Sequence, residues 1–220
     1  MFAKKNLVAV AALLAVAGAA QAQSSVKLYG MIDAGVASVE AAHAKGTASR
    51  TTQVTSGTMM TSYIGFAGVE DLGGGLKAEF ALESFLDADT GKDHKNNAGG
   101  FWGRGSWVGL SGNFGRVALG QYDNPLFTSG YTYNPFGSSM VASPTMRHFY
   151  SGGDFAALGV DTGWVNSVTY ESPALSGFQG IAQYAAKEST NSASKNSYAV
   201  AGSYNAGPFS AMLTYAKDGK

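Results

Sequence analysis

The sequence lacks cysteine and contains little proline or charge. Of its 220 residues, none is cysteine, 5 are proline and 14% are charged. Without cysteine there is no disulfide, thiolate zinc site or cysteine nucleophile. Fifteen basic side chains balance fifteen acidic ones, so the chain has no overall basic footprint for nucleic acid. Little charge together with 12% aromatic residues also argues against a disordered chain or a coiled coil.

The N-terminus has the three regions of a secretory signal peptide, which we assign to residues 1–22. Two lysines precede an apolar run over residues 7–17, and Ala20-Gln21-Ala22 fits a cleavage site. The apolar run is too short to span hydrocarbon, so this segment is not a transmembrane anchor. Residues 23–220 then form the mature domain, with 13 basic and 15 acidic groups and a net charge of −2.

The mature chain shows the period-two alternation of strands and no helical periodicity. Apolar or small residues at even positions from 26 to 36 alternate with Lys27, Tyr29, Met31 and Asp33. We predict eight further strands near residues 62–70, 76–83, 103–111, 116–120, 166–171, 178–186, 197–205 and 209–215. Several approach the ~9–11 residues with which a tilted strand crosses a bilayer. No run approaches the ~18 apolar residues of a membrane helix.

The connections between these strands alternate in length. Long segments at 38–61, 86–102, 122–165 and 187–196 alternate with short ones at 71–75, 112–115, 172–177 and 206–208. An outer-membrane β-barrel sorts its connections in this way, with tight turns on the periplasmic side and long loops outside. One face of each strand would then contact lipid or another subunit, and the other a wet lumen. A dry core also produces alternation, so a secreted β-sandwich binding protein remains an alternative.

Several segments resemble the trimeric general porins of proteobacterial outer membranes. Residues 25–35 resemble that family's first strand, and residues 65–78 resemble its second strand, first turn and third strand. The latter contain the specific run Glu-Asp-Leu-Gly-Gly-Gly-Leu-Lys. Residues 101–104, 107–112, 114–120 and 166–173 resemble strands four to six. The resemblance implies a 16-stranded antiparallel transmembrane β-barrel, a homotrimer in outer-membrane lipid, and passive diffusion of small hydrophilic solutes and ions without enzymatic activity.

The resemblance also implies that the third long loop folds into the lumen and narrows it. Residues 122–165 lie at the position of this loop and are aromatic and almost uncharged, a poor composition for a solvated loop. We predict that the constriction loop includes Asp123 and the tip Asn134, Pro135, Phe136 and Gly137, although the acidic residue usual at the tip is missing. We predict that the lumen wall is lined by Tyr29, Asp33, Tyr63, Glu79, Glu83, Arg104 and Arg116.

The predicted constriction carries little net charge. Arg104 matches the family's arginine on strand four, whereas Tyr63 stands where the family has an arginine on strand two. The loop over residues 122–165 contains three acidic residues and one arginine: Asp123, Asp154, Asp161 and Arg147. We therefore expect a nearly neutral constriction with at most weak ion preference, which discriminates mainly by size.

Other patterns do not predict catalysis, a cofactor or a metal site. Gly73-Gly74-Gly75-Leu76-Lys77 lacks the Gly-Lys-Ser/Thr of a phosphate-binding loop and leads into a strand, so it predicts a tight turn. The acidic segment after residue 86 lacks the glycine and glutamate positions of a calcium loop. The histidines, which show no metal-ligand spacing, are His43, His94 and His148. An outer-membrane barrel enzyme would need a catalytic cluster at the rim, and the sequence shows none.

The number of predicted strands suggests that this chain is the N-terminal part of a longer barrel. Nine is odd, whereas bacterial single-chain barrels have even counts, and sixteen strands would need on the order of 320 residues. The last predicted strand runs into Lys217-Asp218-Gly219-Lys220, which resembles the start of another external loop. Open strand edges are costly in lipid, so we expect the 220-residue chain alone not to form a stable pore.

Overall fold

A computed structural model describes residues 25–40, 50–93, 100–139, 141–146, 162–187 and 195–219. The predicted signal peptide lies outside these residues, as do the three histidines and Arg147, Asp154 and Asp161. Within the described ranges most residues lie in strands, and helix is scarce. No helix in these ranges has the length and apolar character needed to cross a membrane.

The described residues form eleven strands and one helix. The elements are β1 (Ser25–Met31), β2 (Ala34–Glu40), β3 (Arg50–Ser56), β4 (Tyr63–Gly73), β5 (Leu76–Phe85), β6 (Gly105–Gly112), β7 (Gly115–Asp123), α1 (Pro125–Thr132), β8 (Gly163–Glu171), β9 (Phe178–Ala185), β10 (Ser197–Ala206) and β11 (Phe209–Lys217). Nine of the strands form one continuous antiparallel sheet, in the order β1-β4-β5-β6-β7-β8-β9-β10-β11, and a separate hairpin pairs β2 with β3. The all-β antiparallel fold and the nine sheet strands predicted from alternation are confirmed.

The prediction of one continuous first strand up to Val36 is wrong, because the chain bends after β1. The Asp33 carboxylate accepts the backbone N–H groups of Met59 at 2.8 Å and Met60 at 2.5 Å. The Asp33 carbonyl accepts the hydroxyl of Ser62 at 3.1 Å, and this hydroxyl accepts the Asp33 N–H at 2.9 Å. These contacts end the pairing of β1 with β4. The chain then continues as the β2–β3 hairpin, most of which lies in the segment 38–61 that was predicted to be a loop.

The pairing register sorts the side chains of the sheet into two faces. In the pairs Leu28–Phe66, Phe66–Leu82 and Val108–Leu119, apolar residues lie directly opposite one another. This apolar face comprises Val26, Leu28, Ile64, Phe66, Leu82, Val108, Leu110, Leu119, Val168, Tyr184, Val200, Leu213 and Tyr215. Leu28, Val108 and Leu213 are 63%, 56% and 82% exposed. So much exposed apolar surface indicates contact with a membrane or another subunit.

The opposite face carries the polar and charged side chains. Glu83 lies opposite Gly65 and Gly105, and Arg116 lies opposite Glu171. This polar face includes Lys27, Tyr29, Tyr63, Lys77, Glu79, Glu83, Trp107, Ser111, Arg116, Ser167, Thr169, Glu171, Gln183 and Ser203. A shift of one residue in the pairing would exchange the two faces.

The segment after β7 lies over the polar face. Asn124 caps α1, because its side-chain oxygen accepts the Leu126 N–H at 2.8 Å, and Pro125 follows at the first helical position. α1 contacts β10 and β11, and the Tyr133 hydroxyl lies 2.9 Å from that of Ser210 on β11. Starting at the end of β7, the segment therefore reaches across the polar face to the start of β11.

Candidate functional site

A cavity of about 410 Å³ lies between α1 and the polar face. From the sheet it is bordered by charged residues and by the rings of Trp107 and Tyr122, and from α1 by Thr128 and Tyr131. Burial raises the pKa of the Tyr131 phenol, so this group stays neutral at physiological pH. The charged residues that line the cavity are Glu83, Arg104, Arg116, Asp123 and Glu171.

Arg104, just before β6, is held in an ion pair with Glu83 of β5. Its Nη1 lies 2.5 Å from Glu83 Oε2, and its backbone N–H donates to the Glu83 carbonyl at 3.2 Å. The other carboxylate oxygen accepts the Tyr29 hydroxyl at 2.5 Å. The guanidinium also stacks over the Tyr63 ring, 4.0 Å from its centre, an arrangement that favours a cation. Three strands thus fix the orientation of one arginine.

Arg116 of β7 is shared by two glutamates. Its Nε and Nη2 donate to Glu171 Oε2 at 3.1 and 2.5 Å, and its Nη1 lies 3.5 Å from Glu79 Oε2. The remaining carboxylate oxygens are also occupied. Ser111 donates to Glu79 at 2.5 Å, and the Tyr122 hydroxyl donates to Glu171 at 2.7 Å. Charge-assisted bonds of this kind are about twice as strong as neutral ones. The Arg116 guanidinium and its two glutamates are thus held in place by side chains from four strands, β5 to β8.

A second cavity of about 140 Å³ lies on the other side of Arg104. It is bordered by Met31 and Tyr63 from the sheet and by Phe127 from α1. Arg104 and Asp123 border both cavities. Arg104 and Asp123 therefore lie between the two cavities that separate α1 from the polar face of the sheet.

The predicted loop tip forms a compact turn around Asn134. Its amide nitrogen donates to the carbonyls of Gly130 at 2.6 Å and Gly137 at 2.8 Å, and its side-chain oxygen accepts the Phe136 N–H at 2.9 Å. Gly137 has φ +53°, a left-handed conformation that suits glycine. The turn ends α1 and directs the following residues back along the polar face.

Most of the residues predicted to line the lumen lie on the polar face. Glu83, Arg104 and Arg116 border the larger cavity, and Tyr63 borders the smaller one. Asp123, predicted for the constriction loop, is instead the last residue of β7 and borders both cavities. Tyr29 and Glu79 reach the site through their bonds to neighbouring charged groups. Asp33 lies instead at the strand break, where its carboxylate binds backbone N–H groups. The tip residues 134–137 border neither of these two cavities.

The prediction from sequence omitted several residues of the site. Glu171 follows Ser167 and Thr169 at every second position of β8, so the strand alternation contained the signal for it. In the same way, Trp107 lies an even number of positions from Ser111 on β6, and Tyr122 an even number from Arg116 on β7, so both have side chains on the polar face. Thr128 and Tyr131 of α1 lie in a segment without a periodic pattern of apolar and polar residues. The sequence therefore contains no comparable signal for them.

Comparison with known proteins gives a consistent set of relatives. The profile of the Gram-negative porin family matches residues 9–220. "Outer membrane porin protein 32" of Delftia acidovorans is 39% identical over 221 residues, which cover 97% of this chain and 60% of the relative. "Major outer membrane protein P.IB" of Neisseria gonorrhoeae is 34% identical over 194 residues, covering 86% and 50%.

A solved structure shares the fold. It is described as an anion-selective porin from Comamonas acidovorans and superposes with a TM-score of 0.72 at 32% sequence identity. The match covers 89% of this chain and 57% of that one. The chain thus spans 50–60% of the length of these relatives.

Proposed function

Because the chain belongs to the Gram-negative porin family, we propose that the whole protein forms a water-filled channel in the outer membrane. The channel allows passive diffusion of small hydrophilic solutes and ions. Membership of this family places the chain in the Gram-negative outer membrane. Porins are non-enzymatic in kind, and the proposed transport involves no catalytic step.

The observation that carries this proposal is the position of α1 over the polar face. The apolar face is suited to lipid, and the polar face to a wet lumen. The eight residues of α1 span about 12 Å, between a strand end on β7 and the Ser210 contact on β11. A solute moving along the polar face must pass this segment. Selection then depends on the width left free and on the charges that border it.

Two further parts of the proposal concern processing and assembly. Residues 1–22 would be removed on export, leaving the domain that starts at Gln23. The protein would then assemble as a homotrimer in outer-membrane lipid. The exposed apolar face, on which Leu28 and Val108 lie, supplies a surface for both lipid and subunit contacts.

The channel is tested by single-channel recording of the natural protein, extracted from outer membranes in detergent and inserted into planar bilayers. We expect discrete conductance steps. Thr128→Trp should lower the conductance because it enlarges a side chain that borders the cavity, whereas Val200→Trp on the apolar face should not. Absence of conductance from correctly inserted protein would contradict the proposal. Heat-modifiable electrophoretic mobility and membrane fractionation verify insertion and separate a barrel from a secreted sandwich.

A further inference from the structure

We infer that a hollow on the apolar side of β9, β10 and β11 binds one acyl chain of a phospholipid from the inner leaflet of the outer membrane. The hollow lies on the side of the sheet opposite the lumen, so this binding site is separate from the proposed channel. It requires only that the protein lies in the Gram-negative outer membrane, as its family does. Shape, depth in the bilayer and the absence of free polar groups together select the occupant.

Two glycines form the floor of the hollow, which has a volume of about 530 Å³. Gly180 of β9 lies opposite Gly202 of β10, and both lie an even number of positions from residues of the apolar face, Tyr184 and Val200. Neither glycine has a left-handed φ. A Cβ at Gly202 would meet nothing within 4 Å, and one at Gly180 would meet only the Ser172 hydroxyl oxygen at 3.8 Å. Packing within the protein therefore does not require glycine at these positions, whereas close approach of a ligand to the strands does.

Large apolar side chains form the walls of the hollow. On the side of the short turns, the rings of Phe178 and Tyr204 lie against each other with their centres 4.3 Å apart. Leu213 lies opposite Gly202 on β11 and is largely exposed. Leu175 adds an apolar side chain from the turn before β9, where two backbone hydrogen bonds of 2.8 and 2.9 Å pair it with Phe178. The described residues that border the hollow include no charged side chain, so a charged occupant would find no partner there.

The hollow lies in the half of the bilayer that faces the periplasm. It is close to the short turns that follow β8 and β10, and a barrel places its short turns on the periplasmic side. Gly180 is two residues after the start of β9, and Gly202 is four residues before the end of β10, which corresponds to about 7 to 13 Å along the strands. With a strand tilt of about 45°, the floor lies about 5 to 9 Å from the strand ends along the membrane normal, within the roughly 15 Å of hydrocarbon in one leaflet. The Tyr204 ring at the rim is then near the head groups, where tyrosine is enriched in membrane proteins.

An acyl chain is the occupant that fits this depth and shape. The strands at the floor are already paired with one another, Gly180 with Gly202 and Gly202 with Leu213, so no strand edge is open to a peptide at the floor. A peptide would also bring polar backbone groups into hydrocarbon that supplies no partners for them. An acyl chain brings none, and in the hollow it contacts the floor and the walls together, which increases its dispersion contacts with the protein. The alternative occupant is an apolar side chain of a neighbouring subunit, and the experiment separates the two.

The experiment is photolabelling of the natural protein, extracted from outer membranes and mixed in detergent micelles with phosphatidylethanolamine that carries a diazirine in one acyl chain. Weakly held lipid is washed away with detergent before illumination, and labelled residues are identified by mass spectrometry. We expect label at residues that border the hollow, above all Leu175 and Leu213, in preference to Val108 elsewhere on the apolar face. Gly202→Phe should cause loss of this label, because the new side chain fills the hollow.

Val108→Phe is the matched control, because it adds an aromatic ring to the apolar face on β6, away from the hollow, and should leave the label unchanged. Label spread evenly over the apolar face of the wild type would overturn the inference. Equal labelling of Gly202→Phe and Val108→Phe would also overturn it. If Gly202→Phe fails to assemble, Leu213→Ala shortens an exposed wall of the hollow and should lower the label, and an unchanged label would then count against the acyl-chain site.

A crosslinking measurement tests the alternative occupant. Leu213 is replaced by a benzophenone amino acid, and we expect its crosslinks to lead to lipid. Crosslinks to another subunit would show that a second copy of the chain fills the hollow and would overturn the inference. Conductance in planar bilayers should be the same in Gly202→Phe and Val108→Phe, because neither position faces the lumen. Absence of conductance with the lipid label intact would contradict the proposed channel alone.

Discussion

Replacing Asn134 by alanine should loosen the segment that narrows the proposed channel. The Asn134 side chain makes three hydrogen bonds, to the Gly130 carbonyl, the Gly137 carbonyl and the Phe136 N–H, at 2.6 to 2.9 Å. They hold together the turn that follows α1. The adjoining Tyr133 hydroxyl then meets Ser210 on β11 at 2.9 Å. Asn134→Ala keeps the backbone and removes all three side-chain bonds.

The magnitude follows from the number of bonds and their exposure. A neutral hydrogen bond contributes about 1 kcal/mol net, so three give about 3 kcal/mol as an upper value. Phe136 beside them is 46% exposed, and water replaces part of the loss. We take about 2 kcal/mol, which raises the ratio of undocked to docked segment by roughly 30-fold. The undocked state should appear as steps of higher conductance.

The assay is long single-channel recording, with the fraction of time above the main conductance level as the readout. Asn113→Ala is the matched control, because Asn113 is an exposed asparagine in the turn between β6 and β7. Asn134→Ala should increase the high-conductance fraction well beyond this control. An unchanged fraction and unchanged current noise would refute the view that this turn holds the constriction in place.

Two further predictions concern folding and processing. A Cβ at Gly115, where φ is +100°, would overlap the Glu171 carbonyl oxygen. Gly115→Ala should therefore reduce the amount of heat-modifiable protein in the membrane. Gly202→Ala is the control and should not reduce it, because nothing lies within 4 Å of the new Cβ. Equal yields of the two variants would contradict this reasoning. N-terminal sequencing of the protein from outer membranes should begin at Gln23, and a sequence that starts at Met1 would disprove the assigned cleavage.

Alternation along the chain predicts most of the sheet, because a strand with one wet and one apolar face must place similar residues at every second position. Its failure at the first strand has a tertiary cause. Asp33 has the right parity for the lumen, yet its carboxylate binds N–H groups 26 and 27 positions later in the chain. No local pattern contains that contact. The alternation along a strand predicts the face on which a side chain lies. It does not predict whether the polar group of that side chain is already hydrogen-bonded to a distant part of the chain.

Sequence patterns do not predict the helix α1, for a different reason. Its eight residues, Pro-Leu-Phe-Thr-Ser-Gly-Tyr-Thr, include glycine and β-branched threonine, which have low helix propensity. The helix forms where Asn124 caps it and where β10 and β11 supply a surface to pack against. The resemblance and the aromatic, almost uncharged composition of the loop predict a segment folded inward here, but neither predicts a helix. Which of its residues border the cavity depends on the fold.

The pairing of Arg116 shows why the charge balance of the lumen is a property of register. The short turn between β6 and β7 places Arg116 opposite Ser111. In the pairing of β7 with β8, Arg116 lies opposite Glu171, and the register of this pairing shifts between Gly120 and Tyr122. Sliding either pairing by one residue would turn Arg116 to the apolar face and leave Glu79 and Glu171 without their arginine partner. The electrostatics of the proposed constriction is therefore set by turn lengths and bulges as much as by the number of charged residues.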